Sequence, residues 1–124
     1  MLANSALVAF VATTSAERAR AFYGDVLGLP LLSEDPYALV FDAHGTRLRV
    51  QKVETVQPPP YTVLGWQVAD ITQAVQALSQ RGVEVERFPA LEQDSLGIWT
   101  TPDASRVAWF KDPEGHMLSL TQFA

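Results

Sequence analysis

The sequence predicts an α+β fold of two tandem βαβββ units, which would form an eight-stranded cup with the helices outside. The first observation is a repeated hairpin, in which Asp42 and Gly45 of one copy correspond to Asp112 and Gly115 of the other. The second is that a strand-like segment and an amphipathic segment precede each hairpin in the same order. The third is that the copies differ in length mainly at a loop, residues 89–96, as a tandem duplication would.

The composition is that of a globular chain without a nucleic-acid partner. Its 124 residues can bury a core, and contents of 48% apolar and 19% charged residues argue against disorder. The net charge is −5, and the sequence lacks the clustered lysines and arginines that bind a phosphate backbone. The absence of cysteine excludes disulfides, thiolate metal sites and a cysteine nucleophile.

No segment of the sequence indicates secretion or a membrane location. Residues 6–12 are apolar, but no basic region precedes them, and they supply a strand that the fold needs. No apolar run approaches the roughly 20 residues needed to span a bilayer. We therefore expect a cytoplasmic protein that has no membrane partner.

The first predicted unit, residues 5–53, begins with a strand and a helix. The continuous apolar run at residues 6–12 is typical of a largely buried strand. Ser15 is suited to cap a helix over residues 16–27, and Gly28 is suited to end it. Five apolar residues share one face of this helix: Ala19, Phe22, Tyr23, Val26 and Leu27.

Three strands and a linker complete the first unit. The strands are predicted at residues 31–33, 37–41 and 46–52. Residues 54–60 include three consecutive prolines, which are stiff, extended and unable to join the interior of a sheet. We expect this segment to link the two units within a single domain, residues 1–124.

The second predicted unit, residues 61–123, repeats the order of the first. Asp70 is suited to cap a helix over residues 71–80, and Gly82 to end it. Strands are predicted at residues 61–68, 83–87, 97–101, 106–111 and 117–123. Residues 89–96 are predicted to be a polar loop.

Alternation along the strands separates a helix-packing face from a mixed face in each unit. Leu48 and Val50 share one face of their strand, as Leu118 and Leu120 do in the last strand. The opposite faces carry Arg47, Arg49 and Gln51 in the first unit, and Met117, Ser119 and Thr121 in the second. Such mixed faces are typical of a small-molecule pocket, but a solvent-exposed sheet would show them equally well.

Two segments resemble signatures of one family. Residues 22–29, FYGDVLGL, resemble the first signature of the vicinal oxygen chelate superfamily, and residues 110–116, FKDPEGH, resemble the second. That superfamily includes glyoxalase I, extradiol dioxygenases, and fosfomycin and bleomycin resistance proteins. The resemblance covers nearly the whole chain, from Leu7 to Phe123, and implies a pocket inside the cup and, often, a homodimer.

The resemblance also locates a metal site whose ligands this chain lacks. Enzymes of the superfamily commonly hold a divalent ion with histidines on first strands and glutamates on last strands. The corresponding residues here are Val8, Arg49, Val63 and Ser119. Valine cannot coordinate, arginine repels a cation and serine is a poor neutral ligand. We therefore expect no metal and no cofactor.

The two histidines do not replace the missing ligands. His44 and His116 lie in the turns of the two hairpins, where we expect solvated side chains. Asp42 and Asp112 are expected to bond to their own turn backbone. No catalytic residue is assigned, because no nucleophile elbow, dinucleotide motif or phosphate-binding loop occurs in the sequence.

The first functional hypothesis is a metal-independent small-molecule-binding protein. Arg49 could hold an anion or a carbonyl by paired hydrogen bonds, and Trp99 could stack on a ligand, whereas Trp66 is expected in the core. The predicted ligand-binding residues are Val8, Phe10, Arg47, Arg49, Gln51, Val63, Gln67, Trp99, Met117, Ser119 and Thr121. Tyr37, Tyr61, Glu92 and Asp94 could lie near a pocket rim and act as general acids or bases.

Two other hypotheses remain open. One is a lyase, isomerase or dioxygenase of the same superfamily, with relocated metal ligands or metal-free chemistry. The other is a structural or regulatory interaction domain that binds no small molecule. The sequence does not name a ligand for the first hypothesis or a substrate for the second.

Overall fold

Each half of the chain folds as a four-stranded mixed sheet with one helical segment. The computed structural model describes residues 1–124 and divides them into the units Met1–Gln57 and Pro58–Ala124. The first unit contains β1 (Val8–Thr13), α1 (Ala16–Ala19) continued by a π-helix (Arg20–Val26), β2 (Leu31–Glu34), β3 (Ala38–Ala43) and β4 (Thr46–Lys52). Its sheet has the order β1-β4-β3-β2, in which β1 and β4 are parallel.

The second unit repeats this topology. It contains β5 (Thr62–Gln67), α2 (Ile71–Gln80), β6 (Trp99–Thr100), β7 (Arg106–Lys111) and β8 (Met117–Gln122). The sheet has the order β5-β8-β7-β6, in which β5 and β8 are parallel neighbours, as β1 and β4 are in the first unit. The predicted α+β class with two tandem βαβββ units is confirmed.

Both helices begin at the predicted caps. The Ser15 hydroxyl accepts the N–H of Arg18 at 3.2 Å, and the Asp70 carboxylate accepts the N–H of Gln73 at 3.1 Å. These bonds satisfy N–H groups that have no partner within a helix. The helix of the first unit departs from the predicted single α-helix, because it widens to a π-helix from Arg20. Its apolar spacing also fits an α-helix, so the sequence carries no sign of the change.

The predicted alternation of faces is confirmed in both sheets. In the first unit, Leu48 and Val50 are fully buried, and the ring of Tyr23 packs 6.0 Å from that of Phe41. In the second, Leu118 and Phe110 are buried on the side that α2 covers with Ile71, Val75 and Leu78. One helix can cover only one face of a sheet, so the other face of each sheet is left without a helix.

The first strand is not largely buried, contrary to the sequence prediction. Val8 is 41% exposed and Phe10 is 52% exposed. Because β1 is an edge strand and these two residues lie on the face without a helix, an apolar run here does not indicate complete burial.

The prediction of a strand over residues 83–87 is wrong. Val85 forms one isolated bridge with Phe110 and no ladder follows. The side-chain amide of Gln93 accepts the N–H of Phe88 at 2.7 Å and donates to the carbonyl of Glu86 at 2.9 Å. The N–H of Glu86 still bonds the carbonyl of Trp109 in β7 at 2.7 Å, but the Glu86 carbonyl is satisfied within the loop, an alternative that strand propensity does not register.

The closing hairpin turns on a buried pair, Asp112 and His116. One Asp112 oxygen accepts the N–H groups of Glu114 at 3.0 Å and His116 at 2.9 Å. The other lies 2.9 Å from Nδ1 of His116. The expected backbone bonds of Asp112 are therefore present, but a solvated His116 is wrong, since only 6% of it is exposed. The imidazole is buried because its own turn supplies a carboxylate partner.

We expect His116→Ala to lower the free energy of unfolding by about 1–3 kcal/mol, the cost of leaving a buried polar group without its partner. Urea unfolding followed by circular dichroism measures this change. His44→Asn is the matched control, because His44 is exposed at a positive φ of 53° that asparagine also adopts. Equal losses in the two variants would contradict a structural role for the pair.

A second electrostatic contact fastens the helix of the first unit to its sheet. Glu34 in β2 forms ion pairs with Arg20 and with Lys52, the latter at 2.6 Å. The hydrogen bond from Lys52 is the main cause that lowers the pKa of Glu34, and the charges of Lys52 and Arg20 add to it.

A lowered pKa in the folded state stabilises the fold above the pKa of the unfolded state. This contribution is lost as the pH falls through the folded pKa. We therefore expect Glu34→Gln to destabilise the protein at neutral pH and to have little effect once the carboxyl is protonated. Urea unfolding at pH 7 and at about pH 3 tests this. A difference between wild type and variant that does not shrink on acidification would contradict it.

Candidate functional site

Five predicted ligand-binding residues lie together on the face of the first sheet that has no helix. Val8 pairs with Arg47 across β1 and β4, and Phe10 pairs with Arg49. Gln51 follows on the same side of β4. The face therefore combines exposed apolar side chains of an edge strand with guanidinium groups of the next strand. We call this set, Val8, Phe10, Arg47, Arg49 and Gln51, the arginine face.

Both guanidinium groups of the arginine face lack an ion-pair partner within 4.0 Å. The charge of Arg49 acts electrostatically on the carboxyl group of Asp35, whose pKa is below its ordinary value. The main cause is that Asp35 accepts the N–H groups of Tyr37 at 2.7 Å and Ala38 at 2.9 Å, and the charge of Arg49 adds to it. Arg49 is half-buried and keeps its donors for another partner.

The second sheet brings together a further five predicted residues. Gln67, Trp99, Met117, Ser119 and Thr121 all lie on the face of their sheet that α2 does not cover. Val63 does not join them in register, because the β5–β8 pairing shifts between Thr62 and Leu64 and leaves it unpaired. We call the face that carries these five residues the tryptophan face.

Three aromatic rings pack together on the tryptophan face. The rings of Trp99 and Trp109 are 6.1 Å apart and nearly parallel, with 30° between their planes. Phe88 contacts Trp109 edge-on at 5.3 Å. Trp66 lies on the opposite face, with its ring 6.5 Å from that of the core residue Phe110, but it is half-buried and not in the core as predicted. The predicted ligand-binding residues included Trp99 but not Phe88 or Trp109, although Trp109 is one of the three tryptophans that could offer an aromatic surface.

The sequence offered a partial signal for Trp109 and none for Phe88. Trp109 lies one residue before Phe110, so strict alternation places it opposite the core. That signal was masked because all of residues 107–110 are apolar. Phe88 lies in the loop, where no periodicity exists, and its position depends on the hydrogen bonds that Gln93 makes.

Ser119 is buried between two neighbours of the tryptophan face. It is 8% exposed, and it pairs with Gly65 of β5 on one side and with Trp109 of β7 on the other. A Cβ atom at Gly65 would stand 2.6 Å from the Ser119 hydroxyl oxygen. The side chain of Ser119 has no hydrogen-bond partner in the chain.

A cleft of about 670 Å³ lies beside Trp99. Its walls are formed by residues 90–94 of the loop and 98–100 around β6. Asp94 is occupied by the N–H groups of Leu96 and Ile98, each at 2.9 Å. Glu92 forms no ion pair, so its carboxylate is the free charge of this cleft.

The residues at the four superfamily metal positions do not fit a metal ion. Val8 and Val63 have no donor atom, Arg49 is a cation, and Ser119 offers a neutral hydroxyl. Nowhere in the chain do three or more His, Cys, Asp or Glu side chains form a group that could hold one. None of the helices is long and apolar enough to cross a membrane.

Comparison with known proteins gives one family and many solved structures. A model of the Glyoxalase/Bleomycin resistance protein/Dioxygenase superfamily matches residues 6–120. The structure of TnmS3, an antibiotic binding protein from Streptomyces sp. CB03234, is 26% identical with a TM-score of 0.76, covering 100% of this chain and 99% of that one. No curated protein sequence gives a significant match.

Two more distant structures share the fold. TioX from Micromonospora sp. ML1 is 22% identical with a TM-score of 0.71, over 98% of this chain and 100% of its own. Lactoylglutathione lyase from Agrobacterium tumefaciens is 14% identical with a TM-score of 0.74, over 96% of this chain and 93% of its own. At these identities the likeness concerns the fold alone.

Proposed function

The chain belongs to the Glyoxalase/Bleomycin resistance protein/Dioxygenase superfamily, and from that premise we propose that it binds a small molecule without a metal. The observation that carries the proposal is that Arg49 and Ser119 occupy metal positions and present unpaired donors there. The similarity to TnmS3, an antibiotic binding protein, supports the same class of function.

The arginine face suits a ligand that carries an anionic or carbonyl oxygen. A guanidinium group donates in a planar fork that matches a carboxylate, and Arg49 has no competing ion pair. Phe10 is 52% exposed beside it and offers an apolar surface for the body of the ligand. Arg47 and Gln51 add polar contacts on the same face.

An enzyme is the alternative, and the buried Asp112–His116 pair is the observation closest to supporting it. A histidine held by a carboxylate can act as a general base. However, Asp112 also binds two N–H groups of its own turn, and His116 precedes β8 rather than lying on either ligand face. We therefore assign the pair to the turn.

We test the proposal with naphthalene-2-carboxylate, which joins a carboxylate to a flat apolar ring. Arg49→Ala should raise its Kd about tenfold or more, because a hydrogen bond to a charged group contributes about 1.5–3 kcal/mol. Isothermal titration calorimetry measures the Kd. Arg81→Ala is the control, since Arg81 is exposed at the end of α2 and belongs to neither face.

Two outcomes would contradict the proposal. Equal affinity in wild type and Arg49→Ala would remove Arg49 from the site. A tightly held divalent ion in each purified chain, together with turnover of lactoylglutathione or cleavage of an aromatic diol, would establish a metal enzyme instead.

We also propose that the protein is a cytoplasmic homodimer. The support is β1, an edge strand on which Val8 and Phe10 are exposed, as is Leu7 immediately before it. An exposed apolar edge strand readily pairs with another chain, and a second copy is always available. Cellular location stays a prediction from the sequence.

Light scattering after size-exclusion chromatography should give twice the chain mass of 13.6 kDa. Leu7→Lys should shift the protein toward the monomer, because a charge next to the edge opposes pairing. Glu54→Lys, an exposed change outside the strands, should leave the mass unchanged. A wild-type monomer at high concentration would contradict the dimer.

A further inference from the structure

Ser119 has an unsatisfied hydroxyl in an otherwise satisfied interior. Five polar residues are buried: Thr13, Ser105, Asp112, His116 and Ser119. The side chains of the first four all form hydrogen bonds, whereas that of Ser119 forms none. Every side-chain oxygen that is sealed from solvent has a hydrogen-bond partner. Because the Ser119 hydroxyl has none, it must be accessible from outside. Buried polar groups are normally paired, and an accessible one without a partner points to a ligand.

Gly65 leaves space beside this hydroxyl. Its backbone does not have the positive φ that only glycine adopts easily, so conformation does not require a glycine in β5. A Cβ atom would stand 2.6 Å from the Ser119 hydroxyl oxygen, so an alanine at this position would force that hydroxyl to rotate away. A glycine inside a strand often marks the close approach of another group. Here it opens the surface immediately next to the free hydroxyl.

Trp109 of β7 lies next to Ser119 on the side opposite Gly65, and its ring is held in place by its neighbours. Trp99 stacks on it and Phe88 contacts it edge-on, so the indole has packing partners on two sides. An indole held in this way is suited to contact a flat ring, which prefers stacked or edge-on geometry. Neighbouring strands are about 4.8 Å apart, so Gly65, Ser119 and Trp109 span roughly 10 Å across three strands.

The charges near this slot favour a neutral ligand group over an anion. Lys111 is the one charged residue of β7 or β8 on this face, and it lies 3.6 Å from the carboxylate of Glu86. Glu92, in the cleft beside Trp99, is unpaired and would repel an anion. The free donor is thus a neutral hydroxyl, which suits a carbonyl oxygen.

We propose that Gly65, Ser119 and Trp109 form a slot for a planar fused-ring ligand whose carbonyl oxygen accepts a hydrogen bond from the Ser119 hydroxyl. This inference rests on the proposed function and specifies the ligand chemistry of the tryptophan face. Gly65 admits the ring, Trp109 contacts it, and Ser119 selects for the oxygen.

The test compares 9-fluorenone with fluorene, two flat tricyclic molecules that differ by one carbonyl oxygen. Equilibrium dialysis against the full chain gives the Kd of each. We expect wild type to bind fluorenone about tenfold more tightly than fluorene, as one hydrogen bond allows. Ser119→Ala should bring the two Kd values together by weakening fluorenone alone. Ser79→Ala, which removes an exposed hydroxyl from α2, should leave the ratio unchanged.

The double variant Gly65→Ala with Ser119→Ala tests the space. Once the hydroxyl is gone, the nearest atoms to the new Cβ are the carbonyl oxygen of residue 119 at 3.6 Å and its Cβ at 3.9 Å. These are ordinary contacts, so the double variant should fold, as its urea midpoint will show. It should weaken both probes about tenfold or more relative to Ser119→Ala, because the new methyl group fills the slot.

The outcomes separate this inference from the function on which it rests. A fluorenone-to-fluorene ratio that survives Ser119→Ala overturns the role of the hydroxyl. Undiminished binding by the folded double variant overturns the slot. Failure of wild type to bind either probe also overturns it, while Arg49-dependent binding of naphthalene-2-carboxylate would still support small-molecule binding.

Discussion

The structure depends on one constraint, which is that each βαβββ unit has a single helix to cover a two-sided sheet. The helix buries one face, where Leu48 and Val50 in the first unit and Leu118 and Phe110 in the second reach almost complete burial. Hydrophobic burial is the main favourable term in folding, so this face must be uniformly apolar. The other face is free of that demand. It can carry arginines in one unit and a serine among tryptophans in the other without weakening the core.

The same constraint explains how much of the fold could be predicted. The bounds of β4, β7 and α2 match the prediction because alternation, helical periodicity and the Asp70 cap all act locally. The strand predicted at residues 83–87 is absent, and Gln93, several residues later in the loop, bonds the carbonyl of Glu86 and the N–H of Phe88 instead. The π-helix from Arg20 was not predicted because its apolar spacing also fits an α-helix. The burial of His116 was not predicted because it depends on the geometry of its turn, which residue type alone does not encode.

The residues of the candidate site also differ in how far the sequence alone could predict them. The arginine face was predictable, since strict alternation in β4 places Arg47, Arg49 and Gln51 on one side. The tryptophan face was predictable only in part. Position and residue type predict Ser119 and Trp99, but the free state of the Ser119 hydroxyl, the space at Gly65 and the packing of Trp109 are properties of three adjacent strands. A single sequence shows which residues share a strand face; it does not show which cross-strand neighbours leave a hydroxyl unpaired.

Ser119 and Gly65 together explain why loss of metal ligands need not mean loss of a site. A glutamate at position 119 would need its charge balanced by a cation, whereas serine is neutral and needs only one hydrogen bond. In the metal-free binding that we propose, shape and directed donors would orient the ligand. Gly65 would supply the shape by leaving out a side chain, and the hydroxyl of Ser119 would supply the direction. On the first sheet, Arg49 stands at a position where the superfamily's enzymes would place a ligand for a bound metal cation. Here the positive charge belongs to the chain itself. In both units, a residue at one of the superfamily's metal positions carries a hydrogen-bond donor that the proposed ligand would use.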